Sequence, residues 1–285
     1  MRVIIGVDWS DQAFAAVTQT FLLYHPTDVT LVHGVDLGIL EHPFVAQAGN
    51  VQGYDDFRNA MVDSGRQVLE RAAAMVPPEV ESVRKVNEIG SPAQLILDSA
   101  KNLSADLVVV GVRGRSRLSE VVLGSVSHRV LMHGSCPTLI VRGAARKVQR
   151  VLVGIEDRHD SDQIAKWLTQ HPFADPTELC VLHALVPIGV NDPYDALGIE
   201  TWWEGAERYA DELVKSTAGK LLHPHYTVST KVAQGHPASV IEQEAKNVDL
   251  VVVTSHGRKG ISRFLLGSVS HAVVHHVTCP ILVLR

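Results

Sequence analysis

The twenty residues from Leu123 to Arg142, LGSVSHRVLMHGSCPTLIVR, recur from Leu266 to Arg285 as LGSVSHAVVHHVTCPILVLR, with 12 of 20 positions identical and no gap. Ordinary composition gives about one or two chance matches over such a length. The chain is therefore two copies of one unit, and its 285 residues leave room for two domains of about 140 residues, each able to bury its own core. Gly114 and Gly257, Gly124 and Gly267, and Cys136 and Cys279 are each 143 apart, whereas Gly90 and Gly235 are 145 apart and Gly6 and Gly154 are 148 apart. Spacing is thus held in the last third of each unit and drifts in the loops upstream. Domains are expected over residues 1–143 and 149–285, joined by the short charged segment Gly143 to Gln149.

Charge and hydropathy narrow the function classes. With 26 basic and 31 acidic residues the net charge is -5, and no Lys/Arg cluster supplies a local basic field, so no nucleic-acid partner is expected. Apolar runs such as Leu107 to Val112 are only strand-length, so neither a membrane partner nor a signal peptide is expected. Three cysteines without a CxxC pair read as reduced thiols in a cytoplasmic protein.

Short β-branched runs alternate with helical stretches, the pattern of parallel strands joined by helical crossovers, so the fold class is α/β. Strands are predicted at 2–7, 29–35, 80–87, 106–111 and 138–142, and helices at 11–23, 54–76, 92–103 and 120–133. The second half repeats the pattern, with strands at 149–155, 178–186, 226–233, 249–254 and 281–285. Two variable stretches, Leu37 to Gly53 and Pro187 to Gly198, follow the second strand of each unit, at the edge where open α/β sheets bind ligands.

The chemistry-bearing residues sit at strand ends. Strand Leu107 to Val110 runs into Gly111-Val112-Arg113-Gly114, and nine residues later Gly124-Ser125 opens a helix that continues through Val126 and Ser127. Anion binding needs converging backbone N–H groups, glycines where a Cβ would block approach, and a helix N-terminus. This spacing meets all three needs. Arg113 could pair with phosphate oxygens or lie in a solvated loop, and one of Ser125 and Ser127 could bond a phosphate while the other caps the helix. The first strand ends in Gly6-Val7-Asp8-Trp9-Ser10, where Asp8 either accepts from a ribose hydroxyl or caps the next helix, a task for which Ser10 competes. Backbone around His33, Gly34 and Val35 is placed to meet an adenine edge.

These residues resemble the universal stress proteins in their tandem form. The family's G-x2-G-x9-G-[ST] hallmark is matched by Gly111, Gly114, Gly124 and Ser125, and Gly90-Ser91-Pro92, Asp106 and Cys136-Pro137 also look like the family. The resemblance implies two tandem Rossmann-like αβα units, each with a five-stranded parallel sheet of order 3-2-1-4-5, paired through their last strands. It further implies bound ATP, alone or with Mg²⁺, with the glycines and Ser125 at triphosphate and ribose, Asp8 at ribose or adenine, and the end of the second strand at adenine. The partners implied are adenine nucleotide, a second chain in a homodimer and an unidentified regulatory protein.

The second copy departs from this pattern. It reads Thr254-Ser255-His256-Gly257, nine residues, then Gly267-Ser268-Val269-Ser270, so threonine replaces the first glycine. If that position required positive φ, threonine would be strained by roughly 1–2 kcal/mol; at negative φ only ligand clearance would suffer. Glu156 replaces Asp8, Ala184 replaces Gly34, and the following loop is read as three residues longer before Ser161. Site two is accordingly expected to bind ATP more weakly than site one, or in another pose.

No GxxxxGK[ST] loop is present, and no convincing base with Mg²⁺ ligands can be named, so the reading is a nucleotide sensor or regulator and not an enzyme. A scaffold with vestigial sites and a slow ATPase remain the alternatives. His271 and His275 stand four apart without the HExxH glutamate and are read as structural or solvated, with no metal site. Trp202 and Trp203 are expected to pack a helix onto the sheet or to cover the variable loop.

Overall fold

The structure, a computed structural model, describes residues 1–38, 54–112, 123–187, 199–255 and 266–285. It divides into two compact units, Met1–Ala145 and Arg146–Arg285. In the first, β1 (Arg2–Gly6), β2 (Asp28–Val35), β3 (Ser82–Ile89), β4 (Leu107–Gly111) and β5 (Thr138–Val141) alternate with α1 (Asp11–Leu23), α2 (Tyr54–Ala73), α3 (Pro92–Asn102) and α4 (Ser125–His133). All pairings are parallel and the order is β3-β2-β1-β4-β5, with Ile4 opposite Thr30 on one side and Val108 on the other. The predicted 3-2-1-4-5 order is therefore observed. The helix predicted from residue 120 begins at Ser125, because Gly124 is its extended N-cap.

The second unit holds β6 (Arg150–Gly154), β7 (Thr177–Leu185), β8 (Tyr226–Gln234), β9 (Leu250–Thr254) and β10 (Ile281–Leu284), with α5 (Arg158–Gln170), α6 (Ile199–Lys220), α7 (Pro237–Ala245) and α8 (Ser268–His276). Its strand order, β8-β7-β6-β9-β10, is the same arrangement, again all parallel.

Helices on both faces explain why the central strands are apolar at every position and not only at alternate ones. Val3, Ile4 and Ile5 and the whole of Leu107 to Val110 are buried, as are their counterparts Val151 to Val153 and Leu250 to Val253. Aspartate pins the first strand to the fourth in each unit. Asp106 Oδ2 accepts the Arg2 amide at 2.7 Å, and Asp249 Oδ2 accepts the amides of Gln149 and Arg150 at 3.0 and 2.9 Å. Outer strand β3 carries Arg84, Lys85 and Glu88, and Lys85 reaches Glu70 of α2 at 2.6 Å, the kind of charged edge that discourages strand addition. No helix among the described residues is long and apolar enough to cross a membrane.

Candidate functional site

The order in which strands are added to the sheet reverses between β1 and β4, so a crevice opens beyond their C-terminal ends. In unit one the crevice is a cavity of about 600 Å³ with Val7, Asp8, Gly34, Gly111, Gly124 and Ser125 among its lining residues. Ser10, not Asp8, caps α1: its hydroxyl accepts the Ala13 amide at 3.2 Å. Asp8 folds the turn instead, with Oδ1 accepting from the Ser10 amide at 2.9 Å and from the Ser10 hydroxyl. Both bonds fall on one oxygen, which leaves Oδ2 for a ligand.

The His33 side chain, and not only the backbone expected at the site, holds this turn to β2. Its Nδ1 lies 2.8 Å from the Val7 carbonyl and must carry the proton, since a carbonyl only accepts. His183 makes the same contact with Ile155 at 3.1 Å in unit two. The signal was available, because histidine stands at the same place in both second strands, VHG and LHA.

Close approach explains the glycines. A Cβ on Gly111 would stand 2.7 Å from the carbonyl carbon and oxygen of Gln12, and one on Gly34 would stand 2.6 Å from Pro92 Cα. Gly111 is not among the positive-φ residues, so space and not backbone conformation demands glycine there. Val112 ties the end of β4 to α4: its carbonyl accepts the Gly124 amide at 2.6 Å and the Ser127 hydroxyl at 3.0 Å. Ser127 is buried in this role, while Ser125 is exposed at the first helical position and Val126 lines the cavity beside it. Gly114 and Arg113 lie outside the described residues.

Unit two has the same crevice with a different floor. Glu156, Ala184, Thr254, Gly267, Ser268, Val269 and Ser270 all line a cavity of about 920 Å³. His256 and Gly257 lie outside the described residues. The Ser255 carbonyl accepts the Gly267 amide at 2.9 Å, repeating the closure seen at Val112 and Gly124. Thr254 is buried and shows no positive φ, which settles the strain question: Thr254 is unstrained.

The expected lengthening before Ser161 is overturned. Asp157 is the N-cap of α5, directly after Glu156, so this loop is one residue shorter than Asp8-Trp9-Ser10, and Ser161 lies inside the helix. The residue lost is Trp9, whose indole nitrogen in unit one donates to Ser64 of α2 at 2.9 Å. Matched on their caps, α1 and α5 set Asp160 in the place of Ala13. Asp160 is only 5% exposed; its Oδ1 accepts from the Thr254 hydroxyl at 2.6 Å and its Oδ2 from the Glu156 amide at 2.9 Å. Burial pushes its pKa up, against the lowering effect of those two hydrogen bonds.

Of the two roles expected for the tryptophans, covering the variable loop falls on residues 188–198, outside the described residues. Trp202 does not pack onto the sheet; it is 51% exposed and, with Tyr209, walls the cavity, while Trp203 donates to Glu207 at 2.7 Å. Matching buried Val68, Leu69 and Ala72 to Leu213, Val214 and Thr217 puts Tyr209 in the place of Ser64.

Comparison with known proteins agrees with this geometry. The model of the universal stress protein family matches residues 1–142 and again 147–285. A universal stress protein of Mycolicibacterium smegmatis is 30% identical over 299 residues, covering 99% of this chain and 96% of its own. One from Mycobacterium tuberculosis is 28% identical, covering 100% and 96%. The crystal structure of a universal stress protein from Archaeoglobus fulgidus, 18% identical, superposes with a TM-score of 0.65 over 100% of this chain and 98% of that one, a likeness of fold. With two family matches that together span almost its whole length, the chain belongs to the universal stress protein family, in tandem form.

Proposed function

We propose that unit one binds ATP and that its occupancy is a regulatory signal, passed to a protein partner or to a second copy of the chain. One observation carries the reading: the N-terminal turn of α4 opens onto the cavity that Asp8 also lines. The amides of Ser125, Val126 and Ser127 have no acceptor within the helix, and the partial positive charge there suits phosphate. Asp8 Oδ2 is placed for a ribose hydroxyl, and the β2 backbone at Gly34 for an adenine edge. Asp8 is the one carboxylate lining this cavity among the described residues. A single carboxylate fits Mg²⁺ that arrives on the phosphates better than a metal held by protein alone.

Calorimetric titration of the full chain with ATP tests the reading. Asp8→Ala is expected to weaken binding about tenfold, as loss of a charge-assisted hydrogen bond does. Unchanged ATP affinity in that variant would remove Asp8 from the site, and no saturable binding by the natural chain would end the proposal.

A further inference from the structure

The two crevices share a fold but not a chemistry, and the differences in unit two act together. Where unit one has Ala13 and Gly111, small and uncharged, unit two has the hydrogen-bonded pair Asp160 and Thr254, both lining the cavity. The Thr254 side chain supports the carboxylate one residue before Ser255, whose carbonyl accepts the amide of Gly267, the N-cap of α8. A carboxylate therefore lines the same cavity as the helix N-terminus that would receive phosphate. A polyphosphate entering there must either face that charge in poorly solvated surroundings or drive its protonation, and either outcome weakens binding.

The wall changes in the opposite sense. Among the described residues none of α2 lines the cavity of unit one, where Trp9 bonds Ser64; in unit two that tryptophan is absent, and Trp202, Gly205, Ala206 and Tyr209 of α6 enter the lining. Val186, Trp202 and Tyr209 are exposed large apolar side chains, and all three line this one cavity. Two aromatic rings on a helix above small residues make a stacking surface for a flat ring.

We infer that the unit-two cavity is a separate binding site, selective for a planar heteroaromatic ligand without a polyphosphate, of which a purine nucleoside is the simplest member. Trp202 and Tyr209 bind the ring, and Asp160 with Thr254 rejects the phosphates. The inference concerns unit two alone and stands whether or not unit one binds ATP.

The test uses the full chain, with adenosine and ATP as probes in calorimetry and tryptophan fluorescence. Adenosine is expected to bind, and Trp202→Ala and Tyr209→Ala, both at exposed positions, are each expected to weaken it about tenfold or more. ATP should not displace adenosine from this site. The pair Asp160→Ala with Thr254→Gly, which recreates the floor of unit one, should admit ATP to it. If that pair fails to fold, the two aromatic variants and the displacement measurement still decide. ATP displacing adenosine with equal affinity in the natural chain would overturn the inference, as would adenosine binding that neither aromatic variant changes, or no adenosine binding at all. Asp8→Ala keeps the two proposals apart: it should reduce ATP binding and leave the Trp202-dependent adenosine signal in place.

Discussion

Thr254 donates its hydroxyl to Oδ1 of Asp160 at 2.6 Å, and this one bond joins the end of β9 to the first turn of α5. Gly111 and Ala13 hold the same two places in unit one. Burial is the main cause of the raised Asp160 pKa, and the charges of Asp157 and His159 oppose each other as smaller influences. The folded chain thus holds this proton more tightly than the unfolded chain, whose value is near 3.8. Ionisation then opposes folding: the penalty is absent below pH 3.8, grows as pH rises towards the folded pKa, and is complete above it. Asp160→Asn removes the titration, so its stability relative to the natural chain should improve as pH rises across that window. Urea denaturation at several pH values measures the difference, and a difference that does not vary with pH contradicts the account.

Gly111→Ala places a Cβ 2.7 Å from the Gln12 backbone, where no flexible side chain can yield. Overpacking of this kind costs about 1–3 kcal/mol, and moving α1 away would also disturb the Ser10 turn that holds Asp8. Both denaturation midpoint and ATP affinity should fall. Stability within about 0.5 kcal/mol of the natural chain would show that α1 shifts freely.

Trp9 and Ser64 tie the β1–α1 turn to α2 through one hydrogen bond of 2.9 Å. Trp9→Phe keeps most of the ring and loses the donor, so a double-mutant cycle with Ser64→Ala should give a coupling of about 0.5–1.5 kcal/mol. Additive effects would mean that the bond contributes nothing to holding the turn.

The repeat made much of this legible. Parallel strands without alternation, the Gly111 to Gly124 spacing and the Gly111-to-Thr254 exchange all lie along the chain and follow from local pattern. Asp160 is less legible for a different reason: a loop that runs on to Ser161 absorbs the first turn of α5, whereas the cap is Asp157. A cap motif of Asp157 followed by an acidic first turn could have located the helix start. Trp9 against Ser64 and Trp202 against the crevice are contacts between elements far apart in sequence, and no periodicity along one strand or helix encodes them.

Tyr226 joins three segments of unit two at the start of β8. Its hydroxyl accepts the Phe173 amide at 3.0 Å and donates to the Leu168 carbonyl at 3.1 Å, while its ring meets that of Phe173 edge-on at 5.9 Å. Tyr226→Phe keeps the ring contact but strands a donor and an acceptor, so it should cost about 1–3 kcal/mol at neutral pH. Burial, only partly offset by the Phe173 amide, pushes the phenol pKa from 10.0 up to about 12. The neutral phenol therefore favours the folded state; that contribution is whole below pH 10.0 and is lost as pH rises to about 12. The natural chain should consequently lose its advantage over Tyr226→Phe across that alkaline window. Denaturation curves for both proteins at neutral pH and between pH 10 and 12 measure it, and an advantage that persists unchanged to pH 12 would mean that Tyr226 does not ionise at the expense of these bonds.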